Sequence, residues 1–366
     1  MHLETDPIVD GLSRRRKRSG ACWQAILLPA SLLLASCSLI PEEFPSASFK
    51  SMGTRVTVTV APEYRSKLPE LSREVEAEFD RLESLFSTYR SDSEISRLAA
   101  AAGTAPLQVS EDTLRILELS KRYGEVTQGA FDVTVAPLVR LWGFGTVVPS
   151  HPPDPQVIEE QLSLVDFRRL QLHGEWASLP AGMSVDLGGI GKGYAVDRAF
   201  EIARRLGVKA AMLDLGGNIR VIGQAGKGTQ WTIGVRNPFA REQILGKISL
   251  PDGTAVATSG NYERFVDIGD RRFSHIIDPR TGYPVEAMAG VTVVAPDATV
   301  SDALSTGLFV LGINSSRGVL QSFSGVEAIF IPDRDPIRIH LTKGMARLFV
   351  PLPEFASSVT VEGDRP

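Results

Sequence analysis

Cysteine is nearly absent: the 366-residue chain has two, Cys22 and Cys37. Two thiols build neither a disulfide framework nor a cysteine-rich zinc site. An excess of positive charge is also missing, with 39 Lys and Arg against 43 Asp and Glu, which argues against a nucleic-acid binder. No apolar run reaches the roughly 18–20 residues of a comfortable membrane span. What is present is a 43% hydrophobic fraction, too high for an intrinsically disordered chain. The length suffices for two domains or one large unit with its own core.

The first 36 residues read as an address. Arg14 to Arg18 form a basic block, a short apolar stretch runs from Ala21 to Ala35, and Leu34-Ala35-Ser36-Cys37 follows. That is the layout of a secretory signal peptide. The cysteine directly after small residues is similar to a bacterial lipobox, in which Cys37 is lipidated and becomes the first mature residue. A plain signal peptide that happens to contain Cys37, or twin-arginine export, are the alternatives. Residues 37–48, with Pro41, Pro45 and Glu42-Glu43, read as a tether.

Beyond the tether, Val56, Val58 and Val60 alternate with Thr57 and Thr59, a strand pattern. Leu71, Val75, Phe79, Leu82 and Phe86 are spaced for one helix face across 68–86, and Thr113 to Tyr123 repeats the pattern. Asp154-Pro155 is a helix start. Further helices are expected at Tyr194–Leu206 and at Val300–Leu311, the latter closed by Gly312. Short strands fill 210–273, and others lie at 291–295, 328–331 and 337–341. The mixture without strict βαβ alternation predicts α+β with mixed or largely antiparallel sheets. Asp-Leu-Gly-Gly occurs twice, at 186–189 and 214–217, by chance or as a duplicated binding turn.

Four segments carry chemistry. Asp186-Leu-Gly-Gly-Ile-Gly-Lys-Gly-Tyr-Ala-Val-Asp197 puts four glycines and Lys192 before a helix, a phosphate cradle that is neither a Walker A loop nor a dinucleotide fingerprint. The alternative is a turn needed for close packing. Asp302 and Thr306 are four apart on a helix and supply hard oxygen ligands suited to Mg²⁺, unless Asp302 is only a helix cap. His275, in Phe273-Ser-His-Ile-Ile-Asp-Pro-Arg-Thr-Gly282, is a candidate general base or a structural histidine. Gly129 to Leu138 and Leu141 to Gly145 bring aromatics that either flank a planar ligand or belong to the core.

In order along the chain stand Met-Gly-Thr (52–54), Phe-Ser-Thr-Tyr-Arg (86–90), Ser-Glu-Ile (93–95), Gly-Ala-Phe-Asp-Val-Thr-Val-Ala-Pro-Leu (129–138), Leu-Trp-Gly-Phe-Gly (141–145), the Asp186–Asp197 run, Leu-Gly-Gly-Asn-Ile (215–219), Ala-Thr-Ser-Gly-Asn-Tyr-Glu-Arg (257–264), His-Ile-Ile-Asp-Pro-Arg-Thr-Gly (275–282) and Asp-Ala-Leu-Ser-Thr (302–306). Together they resemble the ApbE family of flavin transferases over residues 49–348, with 349–366 left as a C-terminal tail. The resemblance implies an α+β, ApbE-like fold whose helices form a central FAD-binding cleft. It implies Mg²⁺-dependent transfer of FMN from FAD to a Thr or Ser hydroxyl of an acceptor protein, with release of AMP.

The same resemblance places Mg²⁺ on Asp302, Thr306 and an oxygen at Gly189. It brings Asp186 and Lys192 to FAD and lines the flavin and adenine pocket with Met52, Tyr89, Ala130, Phe131, Asp132 and Ile276. His275 is the implied base. The acceptor would carry a D-x-x-[ST]-G-A-[ST]-like motif, as subunits of membrane redox complexes and exported flavoproteins do. The enzyme would be lipid-anchored on the periplasmic side of a bacterial membrane. Gly191 and Asn261 stand where alanine and aspartate are common. An FAD pyrophosphatase and a non-catalytic flavin-binding lipoprotein are the competing readings.

Overall fold

The valines at 56, 58 and 60 are all buried, and they form the second arm of a hairpin in the computed structural model of the protein. Strand β1 (Ser46–Ser51) pairs antiparallel with β2 (Thr54–Val60). Met52 and Gly53 make the turn, both left-handed at φ 49° and 71°, which matches the strand twist across a two-residue connection. The structure describes residues 44–226 and 228–363; the leader at 1–36, Cys37 and most of the expected tether lie outside them.

The elements α1 (Leu68–Phe86), α2 (Glu94–Ala100), β3 (Leu107–Gln108), α3 (Glu111–Val126), α4 (Ala136–Leu141), α5 (Pro155–Leu162), β4 (Gln171–His173) and β5 (Trp176–Ser178) follow. Then come α6 (Gly191–Arg205), β6 (Ala211–Leu215), β7 (Asn218–Ile222), β8 (Trp231–Asn237), β9 (Ala240–Leu250), β10 (Ala255–Gly260), β11 (Phe265–Ile268) and β12 (Arg271–Ser274). The chain finishes with β13 (Met288–Ala295), α7 (Ala298–Gln321), β14 (Glu327–Pro332), β15 (Ile339–Leu341), β16 (Phe349–Pro351) and β17 (Val359–Val361). Nine strands make the main sheet in the order β1-β2-β6-β7-β10-β13-β14-β15-β17. Every pairing in it is antiparallel except β15 with β17. The expected α+β class with mostly antiparallel pairing is what the chain adopts.

The sheet is covered on both faces. Val56, Leu213, Val291, Val293 and Phe330 meet α1, α6 and α7 in one apolar core. Val221, Val294, Ile329 and Ile331 meet Trp231, Ile248 and Phe349 of the small β16-β9-β8 sheet in another. A strand buried on both sides needs no alternation, and β13 shows none: all eight of its residues are buried. A third cluster joins Leu138, Trp142 and Ile158 to Phe273 and Ile277. No helix among the described residues is long and apolar enough to cross a membrane.

Two expectations need correction. First, the tether does not reach residue 48, because Ser46–Ser48 already belong to β1; a Ser-Ala-Ser run has no apolar pattern, and its conformation is set by pairing with β2. Second, 349–366 is not a tail. Phe349 is buried in the second core, β16 pairs with β9, and β17 satisfies the edge of β15. Gly312 closes the first helical segment of α7 as expected: at φ 68° and ψ −179° it is non-helical, and a second segment runs on to Gln321 with Ser316 and Val319 buried.

Two outcomes check this packing. Truncation after Leu348 removes Phe349 and both last strands and is expected to abolish cooperative unfolding in a urea titration. A Cβ on Gly193 of α6 would lie 2.2 Å from the Ala298 carbonyl oxygen of α7. Gly193→Ala is therefore expected to lower unfolding free energy by about 1–3 kcal/mol, read as a lower urea midpoint at unchanged slope.

Candidate active site

The site is built where the first turn of α6 crosses α7. Gly193 permits that crossing, since a side chain would also come within 2.7 Å of Asp302 Cβ. Its backbone N–H donates to Asp302 Oδ2 at 2.8 Å. Asp302 is buried in mid-helix, and Asp297 caps α7 by accepting from Val300 N–H at 2.8 Å. Asp302 is therefore not a helix cap. Burial pushes its carboxyl above the usual carboxylate range, and Lys192 and the Gly193 N–H pull the other way.

Lys192 Nζ stands 3.6 Å from Asp302 Oδ1. Asn218, the residue after the second Asp-Leu-Gly-Gly turn, joins them. With its amide oriented by these neighbours, it donates to Asp302 Oδ1 and accepts from Lys192 Nζ, each at 3.0 Å. Thr306, one turn beyond Asp302, faces the other glycine turn: a Cβ on Gly189 would lie 3.1 Å from Thr306 Oγ1 and 3.2 Å from the Phe131 ring. The Ser259 hydroxyl of β10 is 3.2 Å from Thr306 Oγ1 and 2.9 Å from Ser305 Oγ. Lys192, Gly189, Asp302 and Thr306 thus come together; the helical spacing pointed to the Asp302–Thr306 pair, and the resemblance to the other two.

The remaining expected residues take different roles. Asp186 Oδ1 accepts from Gly188 N–H at 2.7 Å and holds the glycine turn. The Asp132 carboxylate is buried and fully engaged: Thr134 N–H and hydroxyl donate to Oδ1 at 2.7 and 2.6 Å, and Phe167 N–H to Oδ2 at 2.9 Å. Its side chain latches the 132–135 turn, which leaves backbone for a ligand. Ala130, Phe131 and Ile276 are buried core residues, and Phe131 meets Tyr123 edge to face at 6.2 Å. Met52 sits at the left-handed hairpin turn, with its N–H donating to Glu83 at 2.9 Å. Tyr89 is 76% exposed, and a Cβ on Gly145 would lie 3.0 Å from its hydroxyl. Asn261 donates to Asp333 at 2.7 Å, so a carboxylate stands beside that position after all.

His275 lies just past β12. Its Nδ1 is 2.9 Å from the Arg264 carbonyl oxygen, so Nδ1 carries the proton and Nε2 keeps a free lone pair. The Phe144 ring packs edge to face at 6.3 Å. Burial lowers the imidazole pKa to about 4; the Arg264 carbonyl opposes this, and the Arg264 and Lys192 charges add to it. The ring is neutral at pH 7. Trp142, by contrast, is a core residue whose indole N–H donates to Gly282 O at 2.9 Å.

Sequence reasoning missed Asn218, Ser259 and Asp197. The Asp197 carboxylate receives Ala298 N–H and Thr299 N–H at 2.8 Å each and pairs with Arg220 at 2.8 Å, fixing the start of α7. The repeated Asp-Leu-Gly-Gly was the available signal for Asn218.

Comparison with known proteins shows the family. The ApbE family model matches residues 52–330. A Klebsiella pneumoniae protein named FAD:protein FMN transferase is 34% identical over 313 residues, covering 82% of this chain and 89% of its own. A Treponema pallidum protein of the same name is 36% identical over 270 residues, 69% and 74% of the two chains. Among solved structures, the ApbE protein of Thermotoga maritima superposes with a TM-score of 0.76 at 30% identity, over 84% of this chain and 99% of that one. The flavin transferase ApbE of Vibrio cholerae gives 0.74 at 29% identity, over 84% and 100%. The chain belongs to the ApbE family.

Proposed function

We propose that the chain is an FAD:protein FMN transferase that moves FMN from FAD to a Thr or Ser hydroxyl of an acceptor protein, releasing AMP. The observation that carries this reading is the joining of Lys192, Asn218 and buried Asp302 beside a glycine turn, within electrostatic reach of a neutral His275. The family relationship supplies the reaction class. Phosphoryl transfer asks a protein chiefly to position phosphates and offset charge. The Lys192 ammonium suits a pyrophosphate, while the N–H groups of Asp186, Gly188, Ile190, Gly191 and Gly193 are already bonded within the protein.

Mg²⁺ fits the donor set. Among the described residues no group of three His, Cys, Asp or Glu could hold a metal. A cation here would be held by few protein oxygens: Asp302, Thr306 and a backbone oxygen of the Gly189 turn. Mg²⁺ is the ion that keeps water and phosphate in its remaining positions. Bound there, it would neutralise pyrophosphate charge. His275 Nε2 would take the proton of the acceptor hydroxyl as that oxygen bonds to the FMN-side phosphorus. The bond from that phosphorus to the bridging oxygen breaks, and AMP leaves with the oxygen. The Leu34-to-Cys37 run supports export and a lipid anchor on the periplasmic side, where an acceptor with the D-x-x-[ST]-G-A-[ST]-like motif would be met.

Incubating the protein from Ser38 onward with FAD, Mg²⁺ and an acceptor fragment carrying that motif should give a mass increase of one FMN on the acceptor and equal AMP. AMP with free FMN and no adduct would instead make it a hydrolase; no AMP would leave a flavin binder. Asp302→Ala is expected to lower turnover by about 10²-fold or more and to remove its dependence on added Mg²⁺. His275→Ala should bind FAD normally and turn over about 10²–10⁴-fold more slowly. Because His275 works as the neutral base and gains its proton only near pH 4, lowering the pH through 6.5 should not reduce its contribution to kcat/KM. A limb near 6.5 that disappears in His275→Ala would contradict the site's electrostatics.

A further inference from the structure

The Lys192–Asn218–Asp302 cluster is arranged for exchange as well as for binding. Each Asp302 oxygen accepts one amide hydrogen, Oδ2 from Gly193 and Oδ1 from Asn218, and a cation would share the remaining acceptor capacity of Oδ1. Oδ1 is also the oxygen that Lys192 faces, at 3.6 Å. The two partners differ in freedom: the Asp302 side chain is 5% exposed, the Lys192 side chain 30%. The carboxylate is fixed by Gly193 and Asn218, while the ammonium sits at the end of a flexible stem. A divalent cation and an ammonium sharing one oxygen would repel each other strongly where water is scarce.

We infer that Lys192 is a placeholder for the divalent cation: a cation arriving at Asp302 displaces the Lys192 ammonium, which is then free to bind the FAD pyrophosphate. Asn218 is the pivot. Its oxygen holds the ammonium in the metal-free protein, and its amide keeps Oδ1 aimed at the exchange point after the ammonium has left. Cation and FAD then favour one another, because one drives Lys192 out and the other receives it. Such coupling is reciprocal by thermodynamic necessity. It also serves the buried carboxylate, which keeps a positive partner in both states. This inference rests on the proposed roles of Asp302 as cation ligand and FAD as substrate.

The test is a titration of Mn²⁺ alone into the full-length chain in mild detergent, followed by electron paramagnetic resonance. Lys192→Met is expected to bind Mn²⁺ about fivefold or more tightly than the wild type when FAD is absent. Lys192→Arg, which keeps the charge, should stay close to the wild type. Adding FAD should tighten Mn²⁺ binding in the wild type and do so much less in Lys192→Met. Lys192→Gln gives the same reading should the methionine variant fail to fold by near-ultraviolet circular dichroism. Equal or weaker Mn²⁺ binding in the neutral variants without FAD, including no binding to any of the proteins, overturns the exchange. Wild-type transfer activity alongside that result leaves the transferase standing. Mn²⁺ binding that survives Asp302→Ala overturns the metal assignment beneath the inference.

Discussion

One buried carboxylate organises the molecule. Asp302 sits inside α7 with no solvent of its own, and an isolated charge there would cost several kcal/mol. Its partners therefore have to be brought to it. Gly193 delivers a backbone N–H only because it lacks a side chain, and that fixes how closely α6 approaches α7. Asn218 comes from the β6–β7 turn and Lys192 from the first turn of α6. Asp197, one turn further along α6, ties the same two helices together through the first N–H groups of α7. The helical register, the glycine turn and the hairpin all answer to this one group.

Burial acts on the two titratable groups in opposite directions. It raises the Asp302 carboxyl and lowers the His275 imidazole, because in each case it disfavours the charged form. The consequences differ. Asp302 is left seeking a cation, while His275 is left as a neutral base with Nδ1 committed to Arg264 O. Lys192 contributes to both, drawing the carboxyl down and the imidazole down. One cleft thereby offers cation affinity and proton acceptance at the same pH, without a second carboxylate to serve as base.

The sheet's central strands and the long helices were legible because burial writes a period into sequence. Leu71, Val75, Phe79, Leu82 and Phe86 outline α1 to the residue. Glycines, hydroxyls and carboxylates at fixed spacing marked the 186–193 turn and the Asp302–Thr306 pair. What escaped notice was held by partners distant in sequence. β1 and β17 have too few apolar residues to show a pattern and are defined by their neighbours. Asn218 gains its role only from Lys192 and Asp302, 26 and 84 positions away. Asp132 reads as a pocket residue in its motif, yet its carboxylate is consumed by Thr134 and Phe167.

The same geometry bears on the choice between transfer and hydrolysis. His275 Nε2 has no partner among the described residues and the ring keeps some exposure, so the base can accept a proton from water as readily as from a hydroxyl. Nothing in its electrostatics favours one nucleophile, since a neutral imidazole discriminates by position and not by charge. Transfer then requires that the acceptor's hydroxyl be held at the phosphorus for longer than a passing water, which is an entropic advantage that only docking of the acceptor supplies. The chain's own residues prepare the phosphate, and the acceptor, by excluding water as it binds, determines where the FMN goes.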